Sequence, residues 1–305
     1  MGRVTVIVVG AGVAGLACAR VLAGARVDVR VRERGRVVGG RLASKRFDGR
    51  YADIGAAYFT ADDPDFAALA DGWQRRGLAR PWTDTLLSYR GAAAPEPRTG
   101  PVRWAAPGGL RSLAEDLATG LDVTLQDEVT TLPEADAVVL AMPGPQAQRI
   151  TGLDLAQEWS PVLSAVLTYP GRVWEDFRGA FVNDHPVLAT VCDDGDRRGD
   201  RAPVLVAHST PEFARPRLAD PAAAAGDLEA AVRDLMGVPA AVSTRVHRWT
   251  FAQPAPGDGL FHRAGHVFVA GDAFGRPRVQ TAWQSGRAVA RAILAERAGA
   301  QSRVR

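Results

Sequence analysis

The chain has 305 residues, a formal net charge of +3, 47% apolar residues and 23% charged ones. This is globular composition with room for one large domain or two interleaved ones, and it excludes a disordered or fibrous chain. No block of five or six like charges marks a nucleic-acid-binding arm. Two cysteines, Cys18 and Cys192, form neither a disulfide framework nor a zinc site, and they point to a reducing cytoplasm.

The apolar run from Val4 to Ala19 is short for a membrane span, rich in glycine and stopped by Arg20. It reads as strand then helix, with no membrane partner. Val4 to Val9 is a β-branched run expected of a parallel strand buried on both faces. A helix over Ala14 to Leu22 and a strand over Val27 to Val31 complete a βαβ opening. Gly35 to Tyr58 reads as loop-rich. Asp63 to Arg75 reads as a helix with Phe66, Leu69 and Trp73 on one face. Glycines and prolines break up Leu86 to Arg103, predicting irregular structure with short strands. A helix over Leu110 to Ala118 and strands over Val123 to Val129 and Ala137 to Ala141 follow.

The middle of the chain changes style. Strands are predicted over Val162 to Tyr169, Val187 to Cys192, Val204 to His208 and Val242 to Thr250, with a helix over Ala222 to Met236. That pattern predicts a mostly antiparallel sheet flanked by a helix. Asp193 to Asp200, dense in Asp, Arg and Gly, reads as an exposed turn. The first style returns with a strand over Val267 to Ala270 and a helix over Gln280 to Ala298, beyond which a frayed tail is expected. The expectation is an α/β chain: a discontinuous nucleotide-binding domain (1–60, 105–145 and 262–305) with a substrate domain (61–104 and 146–261) inserted into it.

Three motifs carry chemistry. Gly10-Ala11-Gly12-Val13-Ala14-Gly15 joins the first strand to the first helix. Gly10 permits the tight turn, Gly12 lets a pyrophosphate approach, and Gly15 lets helix and strand pack closely. The helix N-terminus, at Val13 and Ala14, favours the negative charge of that pyrophosphate. Glu33, followed by Arg34, ends the second strand, where a carboxylate accepts both ribose hydroxyls and repels a 2′-phosphate. Gly39-Gly40-Arg41 offers exposed N–H groups and a cation for a further phosphate contact. Gly271-Asp272 follows a buried strand, where an acid reaches a ribityl hydroxyl.

In this order the motifs resemble the flavin amine oxidase superfamily, and longer stretches resemble its renalase-like members. Those stretches are Gly40-Arg41-Leu42-Ala43-Ser44-Lys45-Arg46, Asp53-Ile54-Gly55-Ala56-Ala57-Tyr58-Phe59-Thr60, His247-Arg248-Trp249, and Arg278-Val279-Gln280-Thr281-Ala282-Trp283-Gln284-Ser285-Gly286. The resemblance implies non-covalent FAD in a Rossmann-like domain of p-hydroxybenzoate hydroxylase-like architecture. It also implies hydride transfer from a reduced pyridine nucleotide isomer to the flavin, then electrons to oxygen with release of hydrogen peroxide. The last helix, from Val279, Gln280 and Ala282, is then expected to aim its N–H groups at the flavin pyrimidine carbonyl, and Val129 to touch the adenine through its backbone.

Candidate substrate contacts are Tyr58, His185, His247 and Trp249, since a flat pyridine-like ring stacks on aromatic groups. Departures from the family pattern are Ala57, where a Gln is usual, Gln280, where some members carry an acid, and a short substrate domain. Lys45 is the sole lysine and sits beside the phosphate-binding loop, away from the flavin-facing lysine of many amine oxidases. No cysteine near the C-terminus offers a flavin link. Two alternatives stay open: an FAD-dependent oxidase or dehydrogenase acting on an amine or cyclic intermediate of a specialised pathway, and a flavin-binding protein without turnover.

Overall fold

The computed structural model describes residues 5–303 apart from 92 and 175, so Val4, expected to open the first strand, lies outside the described residues. The βαβ opening consists of β1 (Thr5–Val9), α1 (Val13–Gly24) and β2 (Asp28–Glu33). The strands pair in parallel, with Val6 opposite Val29 and Val8 opposite Val31. Leu16, Cys18 and Leu22 of α1 are wholly buried, because the helix is covered by its sheet on one side and by the last helix on the other.

Gly35 to Tyr58 is more ordered than expected. It holds a hairpin of β3 (Ser44–Phe47) and β4 (Arg50–Asp53), turned at Asp48 and Gly49, which both have positive φ. Its strands are too polar to show a period of two. In α2 (Pro64–Arg75), Asp63 caps the N-terminus by accepting from the Phe66 N–H at 2.9 Å. The helix buries Phe66, Ala70 and Trp73 in the core of the first sheet rather than in the expected substrate part.

Leu86 to Arg103 is not irregular. It belongs to a long hairpin of β5 (Arg80–Arg90) and β6 (Glu96–Ala105), turned at Gly91. Pro97 and Pro101 are accommodated because β6 is an edge strand, which tolerates a missing N–H. Then come α3 (Arg111–Ala118), β7 (Asp122–Leu125), β8 (Ala137–Leu140) and α4 (Gly144–Thr151). β7 stops well before Val129.

The middle segment supplies β9 (Trp159–Thr168), β10 (Gly179–Asn183), β11 (Leu188–Asp193) and α5 (Asp194–Arg198). It continues with β12 (Val204–Ser209), α6 (Pro211–Ala214), α7 (Ala225–Met236) and β13 (Ser243–Pro254). The chain closes with β14 (His262–Ala264), β15 (Val267–Val269) and α8 (Val279–Arg303), a helix that runs on past Gly299.

Two main sheets result. The first has the order β14-β15-β8-β1-β2-β7 and is parallel except for β14. The second has the order β13-β9-β12-β11-β10-β5-β6 and is antiparallel except where β10 runs parallel to β5. Each has its own core, around Val8, Leu16 and Phe268 in one and around Leu163, Val191 and Leu228 in the other. Among the described residues no helix is long and apolar enough to cross a membrane.

Candidate active site

A single cavity of about 1470 Å³ runs from the turn after β1, past the ends of β2 and β15, to the inner face of the second sheet. Ordinary small-ligand pockets hold roughly 300–1,000 Å³, so this one has room for a dinucleotide and a second molecule.

At the first end, the backbone is shaped by glycine. Gly10 has φ +107°, and a Cβ there would run into the Ala141 carbonyl. A Cβ on Gly15 would overlap the Gly10 carbonyl oxygen, so α1 sits on β1 only because that residue is glycine. A Cβ on Gly12 would meet nothing within 4 Å. Gly12 lines the cavity with Gly10, Val13 and Ala14, and it caps α1 without a side-chain bond. The first N–H groups of the helix therefore face an open cradle suited to phosphate oxygens.

Glu33 and Arg34 line the cavity at the end of β2. The Glu33 carboxylate accepts from the N–H groups of Ala11 at 2.8 Å and Gly35 at 2.6 Å. These bonds aim the group, and its remaining lone pairs can take hydroxyls. Val129 lies on the same wall.

Further in, Gly40, Arg41, Gly271 and Asp272 come together. Arg41 donates to Asp272 Oδ2 from Nη1 at 2.9 Å and to Oδ1 from Nη2, and it also reaches the Ala252 carbonyl at 3.0 Å. Its guanidinium lies 5.1 Å from the Trp159 ring centroid. Arg41, expected on phosphate, and Asp272, expected on ribityl, thus meet in one partly buried ion pair. Gly55 permits the next close approach, since a Cβ there would overlap the Arg41 carbonyl. Ala56 N–H donates to that carbonyl at 2.9 Å.

The start of α8 closes one side, where Val279 and Ala282 face the cavity. The Gln280 side chain turns away. It is buried and accepts from the N–H groups of Asp62 at 2.8 Å and Asp63 at 3.1 Å, tying the loop before α2 to α8.

The second sheet forms the floor. Tyr58, His247 and Trp249 line the cavity. The rings of His247 and Trp249 meet edge to face at 4.7 Å, and Trp249 Nε1 donates to the Ile54 carbonyl at 2.9 Å. His185 is not in the wall. It sits in the turn between β10 and β11, where Nδ1 accepts from the N–H groups of Val187 and Leu188, both at 3.0 Å. A turn histidine and a cavity histidine look alike in sequence.

Sequence reasoning missed Arg103, Phe181, Cys192 and His208, which also line the cavity. Strand alternation would have found His208 and Cys192. Arg103 was hidden by the prolines around it. Burial pushes the His208 imidazole down to about 4, assisted by Arg197. His247 is likewise pushed down to about 4, by burial and then by Lys45 and Arg248. Burial raises the Cys192 thiol, so it is an inert apolar contact near neutral pH.

Asp193 to Asp200, expected as an exposed turn, is the most polar part of the interior. Asp193, Asp194 and Arg197 are each at most 1% exposed. Asp193 caps α5 through the Asp196 N–H at 2.8 Å and accepts from Trp174 Nε1 at 2.7 Å. Asp194 accepts from Arg197 at 2.7 Å, Arg50 at 2.5 Å and the Asp53 N–H at 3.2 Å. Arg197 donates to the Ala57 carbonyl at 2.7 Å. The charges are hidden because they answer one another, and together they hang the Asp53 to Tyr58 segment from the second sheet.

Comparison with known proteins fits this geometry. Residues 8–73 match the NAD(P)-binding Rossmann-like domain. Residues 89–294 match the flavin containing amine oxidoreductase family. The chain belongs to that family. It is an FAD-dependent oxidoreductase with a Rossmann-like FAD-binding part and an inserted, mostly antiparallel sheet. It is similar to renalase of Mus musculus, with 24% identity over 88% of this chain and 92% of that protein. A stretch of 66 residues is 46% identical to putrescine oxidase of Kocuria rosea, covering 22% of this chain and 14% of that one. Among solved structures, a putrescine oxidase bound to putrescine superposes with a TM-score of 0.71 at 18% identity, covering 95% of this chain and 99% of that chain. A putative protoporphyrinogen oxidase from Exiguobacterium gives 0.76 at 14% identity over 97% and 100% of the two chains.

Proposed function

We propose that this oxidoreductase takes hydride from a reduced pyridine nucleotide isomer, or a similar reduced heterocycle, and passes the electrons to oxygen as hydrogen peroxide. When bound, FAD supplies the hydride acceptor and the route to oxygen. The chain's own residues supply position. Gly12 and the start of α1 hold the pyrophosphate, Glu33 orients the ribose, and Arg41 with Asp272 fixes the ribityl region without a covalent link. The first turn of α8 offers N–H groups where negative charge grows on the ring. Tyr58, His247 and Trp249 offer flat surfaces to the substrate ring.

The observation that carries this reading is the scarcity of free bases at the inner end of the cavity. Asp272 is held by Arg41 and Asp62 by Arg278, at 2.7 Å. The two histidines are weak bases. Lys45 is exposed on β3 and does not line the cavity. Removing hydride from a dihydropyridine needs no base, because the product is an aromatic cation. The likeness to renalase supports the same reading.

The test is anaerobic mixing of the holoenzyme with dihydronicotinamide isomers, followed by admission of air. Fast bleaching of the flavin, then recovery with one peroxide per turnover, is the expected outcome. A flavin that stays oxidised with every isomer overturns the proposal and directs the search to amines and cyclic intermediates.

A further inference from the structure

Among the described residues, Arg103 is a buried cation without an anionic partner. It is 7% exposed, and among the described residues it forms no ion pair. Its Nη1 donates to the Asp84 carbonyl at 2.7 Å, while Nε is buried with no partner. The other buried arginine of this region, Arg197, is treated differently and lies against Asp194. A guanidinium kept from water is costly unless an anion answers it.

Its surroundings show where the answering group would sit. Arg103 lines the cavity on β6. The guanidinium lies 5.3 Å from the Tyr58 ring centroid and 5.8 Å from that of Phe181. The two rings flank the guanidinium within cation–π reach, and its buried Nε is left for an oxyanion to take. Arg276 lines the same end, also without an ion pair among the described residues. The nearby Asp62 is already neutralised by Arg278. This end of the cavity is therefore net positive. The phosphate cradle at Gly12 belongs to the other sheet and has its own donors.

We infer that Arg103, framed by Tyr58 and Phe181, is a substrate-binding residue that takes a carboxylate or phosphate group of the substrate. This rests on the proposal that the cavity's second occupant is a heterocyclic hydride donor, and it places that donor's anionic group at Arg103. A guanidinium grips such a group through two parallel hydrogen bonds, and the apolar flanks strengthen them. Arg276, exposed at the same end, adds attraction without enclosure.

The experiment uses the holoenzyme and two pairs of probes, each read by the shift of the flavin absorption bands. One pair is nicotinate and nicotinamide, which differ by a carboxylate. The other is nicotinamide mononucleotide and nicotinamide riboside, which differ by a phosphate. The inference expects the anionic member of at least one pair to bind roughly tenfold tighter or more, and the pair that does so tells carboxylate from phosphate. Arg103→Met is expected to erase that preference and Arg103→Lys to keep part of it, both with full FAD content. Equal binding within both pairs, including no shift with any probe, overturns the inference. So does loss of FAD from Arg103→Lys, since the cofactor would then be the anion's source. Bleaching by dihydronicotinamides without a probe preference leaves the proposed function standing and removes this inference. A preference without bleaching does the reverse.

Discussion

Arg41 and Asp272, 231 residues apart in the chain, meet in the cavity wall with Nη1 on Oδ2 at 2.9 Å and a second bond alongside. One comes from the loop after β2 and the other from the end of β15. The pair therefore pins the first and last segments of the FAD-binding part to each other.

Asp272→Ala is expected to weaken FAD binding by ~1–3 kcal/mol, the usual cost of a buried polar group losing its partner. Arg41→Met should cost a similar amount, because it strands a carboxylate that is 6% exposed. The double variant should cost less than the sum. Flavin fluorescence on titrating apoprotein with FAD measures all three. Strict additivity would reject the pair as a unit.

Gly12 and Gly15 are expected to fail differently. Gly12→Val adds a side chain into open cavity at φ −81°, so the fold should survive while FAD is excluded. Gly15→Ala puts a methyl into the Gly10 carbonyl and should lower stability by about 1–3 kcal/mol or more through overpacking. Flavin content and thermal melting together separate the two outcomes.

Arg197→Met should be among the most damaging single changes. It leaves Asp194 and Asp53 buried beside each other with their central cation gone, at a cost of roughly 3–5 kcal/mol. Urea unfolding followed by tryptophan fluorescence gives the value. A loss below ~1 kcal/mol would mean that Arg50 and Arg198 carry the network alone.

The two cavity histidines set a pH dependence. Their folded values are about 4 against an ordinary 6.5. Between those values the unfolded chain holds protons that the folded chain lacks, so stability falls as pH drops from 6.5 toward 4. Each histidine contributes up to ~1.4 kcal/mol per pH unit, with the partly exposed His247 contributing less. Above 6.5 both are neutral in either state and the dependence vanishes. His208→Asn should flatten the slope when urea midpoints are compared across that window.

Much of this was legible in the chain. The βαβ opening showed because a buried parallel strand leaves a continuous apolar run, and its glycines stood where helix and strand must touch. The strands at Val162 and Val204, antiparallel but central in their sheet, left apolar runs because both of their faces are covered. Three things stayed hidden, each by local chemistry that tertiary context overrides. Pro97 and Pro101 disguised β6, since nothing in the sequence says that a strand is at an edge. The Asp-Arg run over 193–200 looked solvated because composition cannot reveal that most of its charges have partners far off in sequence. Arg41 and Asp272 were legible as motifs, but their bond to each other was not, because it depends on closing the whole chain.

The knot around α5 also bears on how such a protein changes over generations. Ala57, which lines the cavity, and the Asp53 backbone hang from side chains on a helix that contributes no residue to the cavity wall. A substitution in that helix would tilt the floor without altering a single residue that a ligand touches. Selectivity in this scaffold is thus exposed to drift from within its own interior, and variants with altered preference are to be sought at Asp194 and Arg198 as much as along the cavity wall.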